Sequence, residues 1–259
     1  MPSILSNRSL VKITGEDSAK FLQNLVTNNV LSKKTIYAMM LSAQGRFLFD
    51  MFIIPIEEGF LLDISSTTKD IFLQKLNMYK INMKVSIEEF DRKIGYSQTA
   101  INAEISYQDP RYEKLGYRFI TEDNIVADNS YELDKYKYTI PDGGVDLLYD
   151  KAMPQEYGAE ELHAISYNKG CYVGQEVISR TKTQGQVRKK IYKLTASIAL
   201  DHIPHGTEII SNEKKIGIFC SGLGNIGIGL IREENIEQNL TIFVDKIEVK
   251  IERAEWYKD

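Results

Sequence analysis

The chain has 259 residues, 43% hydrophobic and 26% charged, with a formal net charge of -4. That length buries a full core and accommodates one large domain or two to three smaller ones, and the mildly negative balance argues against a generally basic nucleic-acid-binding surface. With only two cysteines and no Cys-x-x-Cys pair, neither a disulfide framework nor zinc-type spacing is present, which fits a reducing compartment.

The opening "MPSILSNRSLVKITG" shows neither a signal core nor an arginine-rich transit helix. No apolar run reaches the roughly 18 residues that span a bilayer. A cytoplasmic protein without membrane attachment is the expectation. Along the chain, Ser9 to Ile13 reads as a strand, and "TGEDSAKFLQNLVTNNV" as a helix with Phe21, Leu22, Leu25 and Val26 on one face. Ile36 to Leu41, "SAQGR" and Phe47 to Ile54 form a hairpin pattern with Gly45 at the turn. "FLLDI" follows as a strand, and Asp70, Ile71, Phe72, Lys75, Leu76 and Tyr79 lie at helical spacing.

Further on, "KVSIEEF", "KIGYSQT" and "GYRFIT" have strand composition, with "YQDPRYEKLG" as a polar turn between them. From Val187 onward, short strand-like runs such as "KIYKLTAS", "IGIFCSG" and "IGIGLI" suggest a small barrel or sandwich. The fold class is α+β with a C-terminal small β-barrel. The expected division is residues 1–185 as the body, with room for two interleaved subdomains, and 186–259 as the barrel.

Asn168 to Arg180, "NKGCYVGQEVISR", concentrates unusual residues. Thiolate is the reactive and metal-binding form of cysteine, and a neighbouring cation such as Lys169 favours it beside Cys171. Gly170 and Gly174 allow close backbone approach or positive φ. Glu176 and Arg180 can pair if a helix begins near Gly174. Arg180, Lys182, Arg188, Lys189 and Lys190 surround the motif with positive charge able to meet an anion. The opposite reading stands beside this one: a small buried cysteine, turn glycines and solvated lysines.

Extended to "AISYNKGCYVGQEVISRTKTQGQVRKKI", the segment closely resembles the signature of the YgfZ family, which includes mitochondrial iron-sulfur assembly factors of the Iba type and is related to the glycine-cleavage T-protein, an aminomethyltransferase that uses tetrahydrofolate. "FLQNLVTNNV", "LSAQGRFLFDMFI", "IPDGGVDL" and "MPQE" extend the resemblance over most of the chain.

The resemblance implies a T-protein-like body with a folate-sized central hole, tetrahydrofolate or a derivative as cofactor, and a role in assembly or repair of iron-sulfur clusters, including those of tRNA-modifying enzymes. The motif falls on Lys169, Gly170, Cys171, Tyr172, Gly174, Gln175 and Glu176, with Cys171 as the functional thiol and Lys169 assisting it. No stable metal site is implied, only transient iron ligation by Cys171. The implied partners are folate and iron-sulfur client or assembly proteins, with no direct nucleic acid and no membrane.

T-proteins commonly carry Asp-Asp-Leu where this chain has Phe49, Asp50 and Met51, so a T-protein-type aminomethyltransferase activity is not expected, since phenylalanine is neither acid nor base. Strand alternation sets Asp50 on the face opposite Phe49 and Met51. There it either lines the folate cavity and accepts from a pterin or faces solvent. Arg180 and Arg188 are candidates for the folate tail. His202 and His205 read as turn residues, His163 as a weak candidate base, and Cys220 as core.

Overall fold

The structure is a computed structural model that describes residues 2–236 and 241–258. The body begins with β1 (Ser3–Ile4) and β2 (Arg8–Thr14), followed by α1 (Ser18–Leu25), β3 (Ile36–Leu41), β4 (Phe47–Ile56), β5 (Gly59–Ser65), α2 (Lys69–Tyr79) and β6 (Ser86–Phe90). Then come β7 (Lys93–Ser97), β8 (Ile105–Gln108), β9 (Tyr117–Thr121), α3 (Ser130–Lys137) and α4 (Gln175–Gln184). The C-terminal part holds β10 (Lys189–Ala196), β11 (Glu208–Ser211), β12 (Lys214–Leu223), β13 (Ile226–Arg232), β14 (Ile242–Val244) and β15 (Ile247–Arg253).

Strands β3-β4-β5-β2-β6 make a five-stranded antiparallel sheet and β1-β7-β9-β8 a four-stranded one, while β10-β13-β12-β11-β14-β15 close into a barrel. Along β4, Phe49, Met51 and Ile53 face a core covered by α1 and α2, through Phe21, Leu22 and Leu25 of the first and Phe72 and Leu76 of the second. Phe52 faces the other way, into the cluster shared by the body and the barrel. Both faces of β4 are therefore buried, which explains its nearly continuous apolar run. On α2, Ile71 and Tyr79 are exposed although their spacing had grouped them with Phe72 and Leu76.

The β3–β4 hairpin turns through Gly45 at φ 71, where a left-handed residue lets the Ser42 carbonyl accept from the Gly45 amide at 2.9 Å. The barrel packs on the body through Ile191, Cys220, Ile228 and Leu230, which share one core with Tyr37, Phe52 and Tyr172. Asp146 bridges the two: its carboxylate accepts from Ser221 Oγ at 2.5 Å, and its carbonyl meets His205 Nε2 at 3.1 Å. His205 thus sits at a junction, and no cluster of metal-ligating side chains occurs among the described residues.

Candidate functional site

The segment from Tyr167 to Gly174 has no regular secondary structure, and Cys171 near its middle is exposed. Tyr172 is buried in the body–barrel core, while Val173 packs against the cluster under α1 and α2. Adjacent residues anchored in two different cores leave Cys171 on the outside. Burial as a small hydrophobe, one of the two readings open for this residue, is thereby corrected. It describes Cys220 instead, 2% exposed in β12, where burial pushes the thiol pKa up.

The two glycines of the motif differ. Gly174 has φ 85, and a Cβ there would lie 2.6 Å from the Ser42 carbonyl oxygen and 3.3 Å from the Gly45 Cα. The motif is thus pressed against the hairpin turn, and Gly45 in turn leaves no room for a Cβ, which would meet Val177 at 2.9 Å. Gly170 has open space around it and no positive φ, so the close approach expected there is absent.

The hydrogen bonds of the Lys169 ammonium run into the body. The side chain is buried, and the ammonium donates to the carbonyls of Gln23 at 2.6 Å, Asn28 at 3.0 Å and Val26, with the Tyr172 ring 5.0 Å away. These carbonyls are the orphan acceptors at and just beyond the C-terminal end of α1, where a cation is favoured. Burial pushes the Lys169 pKa down to about 8, and the three carbonyls oppose that shift.

Beyond Gly174 the helix α4 begins as expected, with Glu176 in its first turn, but Glu176 and Arg180 form no ion pair among the described residues. Gln175 caps the turn through its backbone, donating to the Tyr172 carbonyl at 3.2 Å. Gln155 of the "MPQE" turn donates to the Ile178 carbonyl at 2.9 Å and fixes α4 from below. Much of the basic cluster is neutralised within the protein: Lys182 pairs with Glu160, Lys189 with Glu156 at 3.3 Å, and Lys190 with Glu233 at 2.8 Å.

A second candidate region lies between the two sheets. Asp50 is buried, which excludes its solvent-facing placement, and one oxygen accepts from the Tyr37 hydroxyl at 2.8 Å. Burial first, and then the Asp50 charge, push the Tyr37 hydroxyl pKa well up, so it remains a donor. The other oxygen, Oδ1, lies against Gly143, whose added Cβ would come within 2.3 Å of it, and receives no hydrogen bond among the described residues.

Beside it, three guanidiniums surround the Phe52 ring, Arg118 at 4.1 Å, Arg111 at 4.9 Å and Arg8 at 5.6 Å. Asp63 pairs with Arg8 at 2.6 Å and Arg118 at 2.7 Å, Asp109 with Arg111 at 2.8 Å, and Asp142 with Lys135 at 3.0 Å. Asp109 and Arg111 belong to the stretch read as a polar turn, yet both are fully enclosed.

Arg180 and Arg188 are exposed on α4 and the following linker, and neither makes an ion pair among the described residues. His163 is exposed with φ 58 and lines a 440 Å³ pocket with Asp109, Arg111, Glu161 and Trp256. Thr27 and Asn28 were not singled out in the sequence. Thr27 Oγ1 donates to the Ala164 carbonyl at 2.6 Å, and Asn28 Nδ2 donates to the carbonyls of Tyr37 at 2.8 Å and His163 at 2.7 Å. Their only signal was the run of polar residues closing "FLQNLVTNNV".

This fold, a body of two sheets joined to a closed barrel, is that of the T-protein class. The crystal structure of the glycine cleavage system aminomethyltransferase T from Bartonella henselae matches 99% of this chain and 86% of its own with a TM-score of 0.77 at 12% identity. The family described as "CAF17, C-terminal beta-barrel domain" matches residues 188–259.

Among whole-chain relatives, the mitochondrial iron-sulfur cluster assembly factor IBA57 homolog of Pyricularia oryzae is 30% identical over 92% of this chain and 73% of its own length. The mitochondrial iron-sulfur cluster assembly factor IBA57 of Homo sapiens is 28% identical over 92% of this chain and 79% of its own. The chain belongs to the IBA57 family. The resemblance to YgfZ is thus narrowed to its CAF17/IBA57-type relatives.

The cytoplasmic expectation is overturned, because these relatives are named as mitochondrial proteins. A low cysteine count reports a reducing compartment and does not distinguish one such compartment from another.

Proposed function

We propose that the protein assists assembly or repair of iron-sulfur clusters in client enzymes, including those of tRNA modification, with Cys171 as its working thiol. The observation that carries this reading is a single exposed thiol on a loop pinned by Lys169 and Gly174, in a chain whose relatives are named iron-sulfur cluster assembly factors. One thiol cannot hold a four-ligand cluster, so iron contact at Cys171 is transient or shared with a client or assembly protein. Replacing Cys171 with Ser is expected to leave folding unchanged and to abolish rescue of iron-sulfur enzyme activity in cells lacking the endogenous factor. Full rescue would defeat the thiol role.

A tetrahydrofolate-type cofactor is compatible with the chemistry at Asp50, a buried carboxylate whose Oδ2 accepts from Tyr37 and whose Oδ1 could accept from the amino and ring N–H groups of a pterin. When bound, such a cofactor supplies one-carbon chemistry. Arg180 and Arg188, exposed on α4 and the linker after it, are the proposed contacts of the folate tail rather than of the pterin. Calorimetric titration with tetrahydrofolate tests this, and no binding at millimolar ligand counts against it.

A second reading, folate-dependent one-carbon transfer, draws on the placement of Asp50. The Phe49 departure lies on the opposite face, packed at 5.2 Å from Phe72 and 5.5 Å from Tyr149, and does not touch the Asp50 side. Turnover of an aminomethyl donor with tetrahydrofolate would favour that reading. Residues 1–185 as body and 186–259 as barrel unit is the division we adopt, supported by the end of α4 at Gln184 and the family match from residue 188.

A further inference from the structure

The two candidate regions are joined by three hydrogen bonds linked through the covalent chain of Lys169, Asn28 and Tyr37. Cys171 follows Lys169 by two residues, and the Lys169 ammonium donates to the Asn28 carbonyl at 3.0 Å. The Asn28 side-chain amide donates to the Tyr37 carbonyl at 2.8 Å, and the Tyr37 hydroxyl donates to Asp50 at 2.8 Å. The same Asn28 amide holds the His163 carbonyl at 2.7 Å, and the preceding Thr27 accepts from the Ser166 amide at 3.0 Å, so the strand of chain leading into the motif rests on the same two residues.

We infer that Asn28 is a positioning residue that couples what occupies the Asp50 side of the body to the presentation of Cys171. The inference rests on the reading of Cys171 as the working thiol and of Asp50 as a ligand-facing carboxylate. A group that draws the Asp50 carboxylate away from Tyr37 removes one anchor of that ring. Tyr37 lies on β3, and its own carbonyl is held by Asn28, so a shift of the residue is passed to Asn28 and from there to the Lys169 peg. Both Lys169 and Asn28 have their donors engaged, so neither end moves without the other's bonds changing. A ligand that alters Asp50 therefore alters how Cys171 is offered, and by linkage an occupant of Cys171 alters affinity at Asp50.

The test needs no folate and no iron. The rate at which N-ethylmaleimide alkylates Cys171 is measured in the folded parent, in Tyr37→Phe, in Asn28→Ala and in the double variant. The Cys171→Ser variant supplies the blank, and alkylation of buried Cys220 reports general unfolding. Tyr37→Phe removes only the hydroxyl that reaches Asp50. It is expected to change the Cys171 rate by about threefold or more, within the coupling seen between residues of one network, and to have no further effect when Asn28 is already Ala. An unchanged rate in Tyr37→Phe, or an equal change in both backgrounds, overturns the inference.

A general loss of stability would move Cys220 with Cys171 and would not depend on Asn28. If Asn28→Ala does not fold, amide hydrogen exchange of Asn168 to Val173 is compared between the parent and Tyr37→Phe. Faster exchange there supports the coupling, and identical exchange overturns it. Failure of folate binding, or of the cellular Cys171→Ser experiment, leaves these outcomes unaffected.

Discussion

At the scale of single residues, the motif's lysine and its cysteine differ in placement. The Lys169 ammonium is directed inward to three backbone carbonyls, while Cys171 is directed outward. Lys169→Met keeps much of the aliphatic stem and removes the donors, leaving buried acceptors unmet. It is expected to lower stability by about 3 kcal/mol, read as a lower urea midpoint with an unchanged slope. Alternation along β4 made it legible that Asp50 and Phe49 point to opposite faces. It did not reveal which face holds the ionic centre, because both are buried, and a strand enclosed on both sides carries no solvent signature. The Phe49 ring packs between Phe72 and Tyr149, away from the face that holds Asp50.

At the scale of elements, the Cys171 loop owes its shape to its contacts at both ends. Gly174→Ala places a Cβ at φ 85 and 2.6 Å from the Ser42 carbonyl oxygen, and is expected to cost about 2 kcal/mol or more. Gly170→Ala meets nothing within 4 Å and is expected to change stability by less than about 0.5 kcal/mol. Thermal unfolding of the pair checks both, and equal losses would contradict this account of the loop. The hairpin, α1, α2 and the barrel strands were legible from apolar periodicity and turn residues. Helix α3 was not, since its buried residues include Asp134 and Lys135, and no apolar stripe announces a face held by charges. The same reason hid the centre: Asp109 and Arg111 lie in a stretch whose composition is that of a surface turn, and only the fold encloses them.

At the scale of the molecule, the ionic centre between the sheets sets the response to acid. Burial works to raise the Asp109 and Asp142 carboxyl pKa values, but Arg111 beside the first, and Lys135 and then Arg111 beside the second, hold both below the ordinary carboxylate range. Their stabilisation is fully present above the unfolded value of about 3.9 and is lost as pH falls through that value toward the folded ones. Asp146 acts in the opposite sense, because burial raises its pKa, and its cost is relieved as pH falls through the raised value. The urea midpoint is expected to fall steeply below about pH 4, and Asp142→Asn, though less stable at neutral pH, should show a flatter dependence. An equally steep fall in that variant would remove Asp142 from the explanation.

The peg at Lys169 also fixes the order in which the molecule is completed. Its acceptors at Gln23, Val26 and Asn28 stand 146, 143 and 141 residues earlier in the chain. Contacts that close so long a loop form late, after the local hairpins and helices. During synthesis the end of α1 waits for the ammonium that will cap it, and the Cys171 loop acquires its shape only when both have met. An unfinished chain carries the same sulfur without that loop geometry.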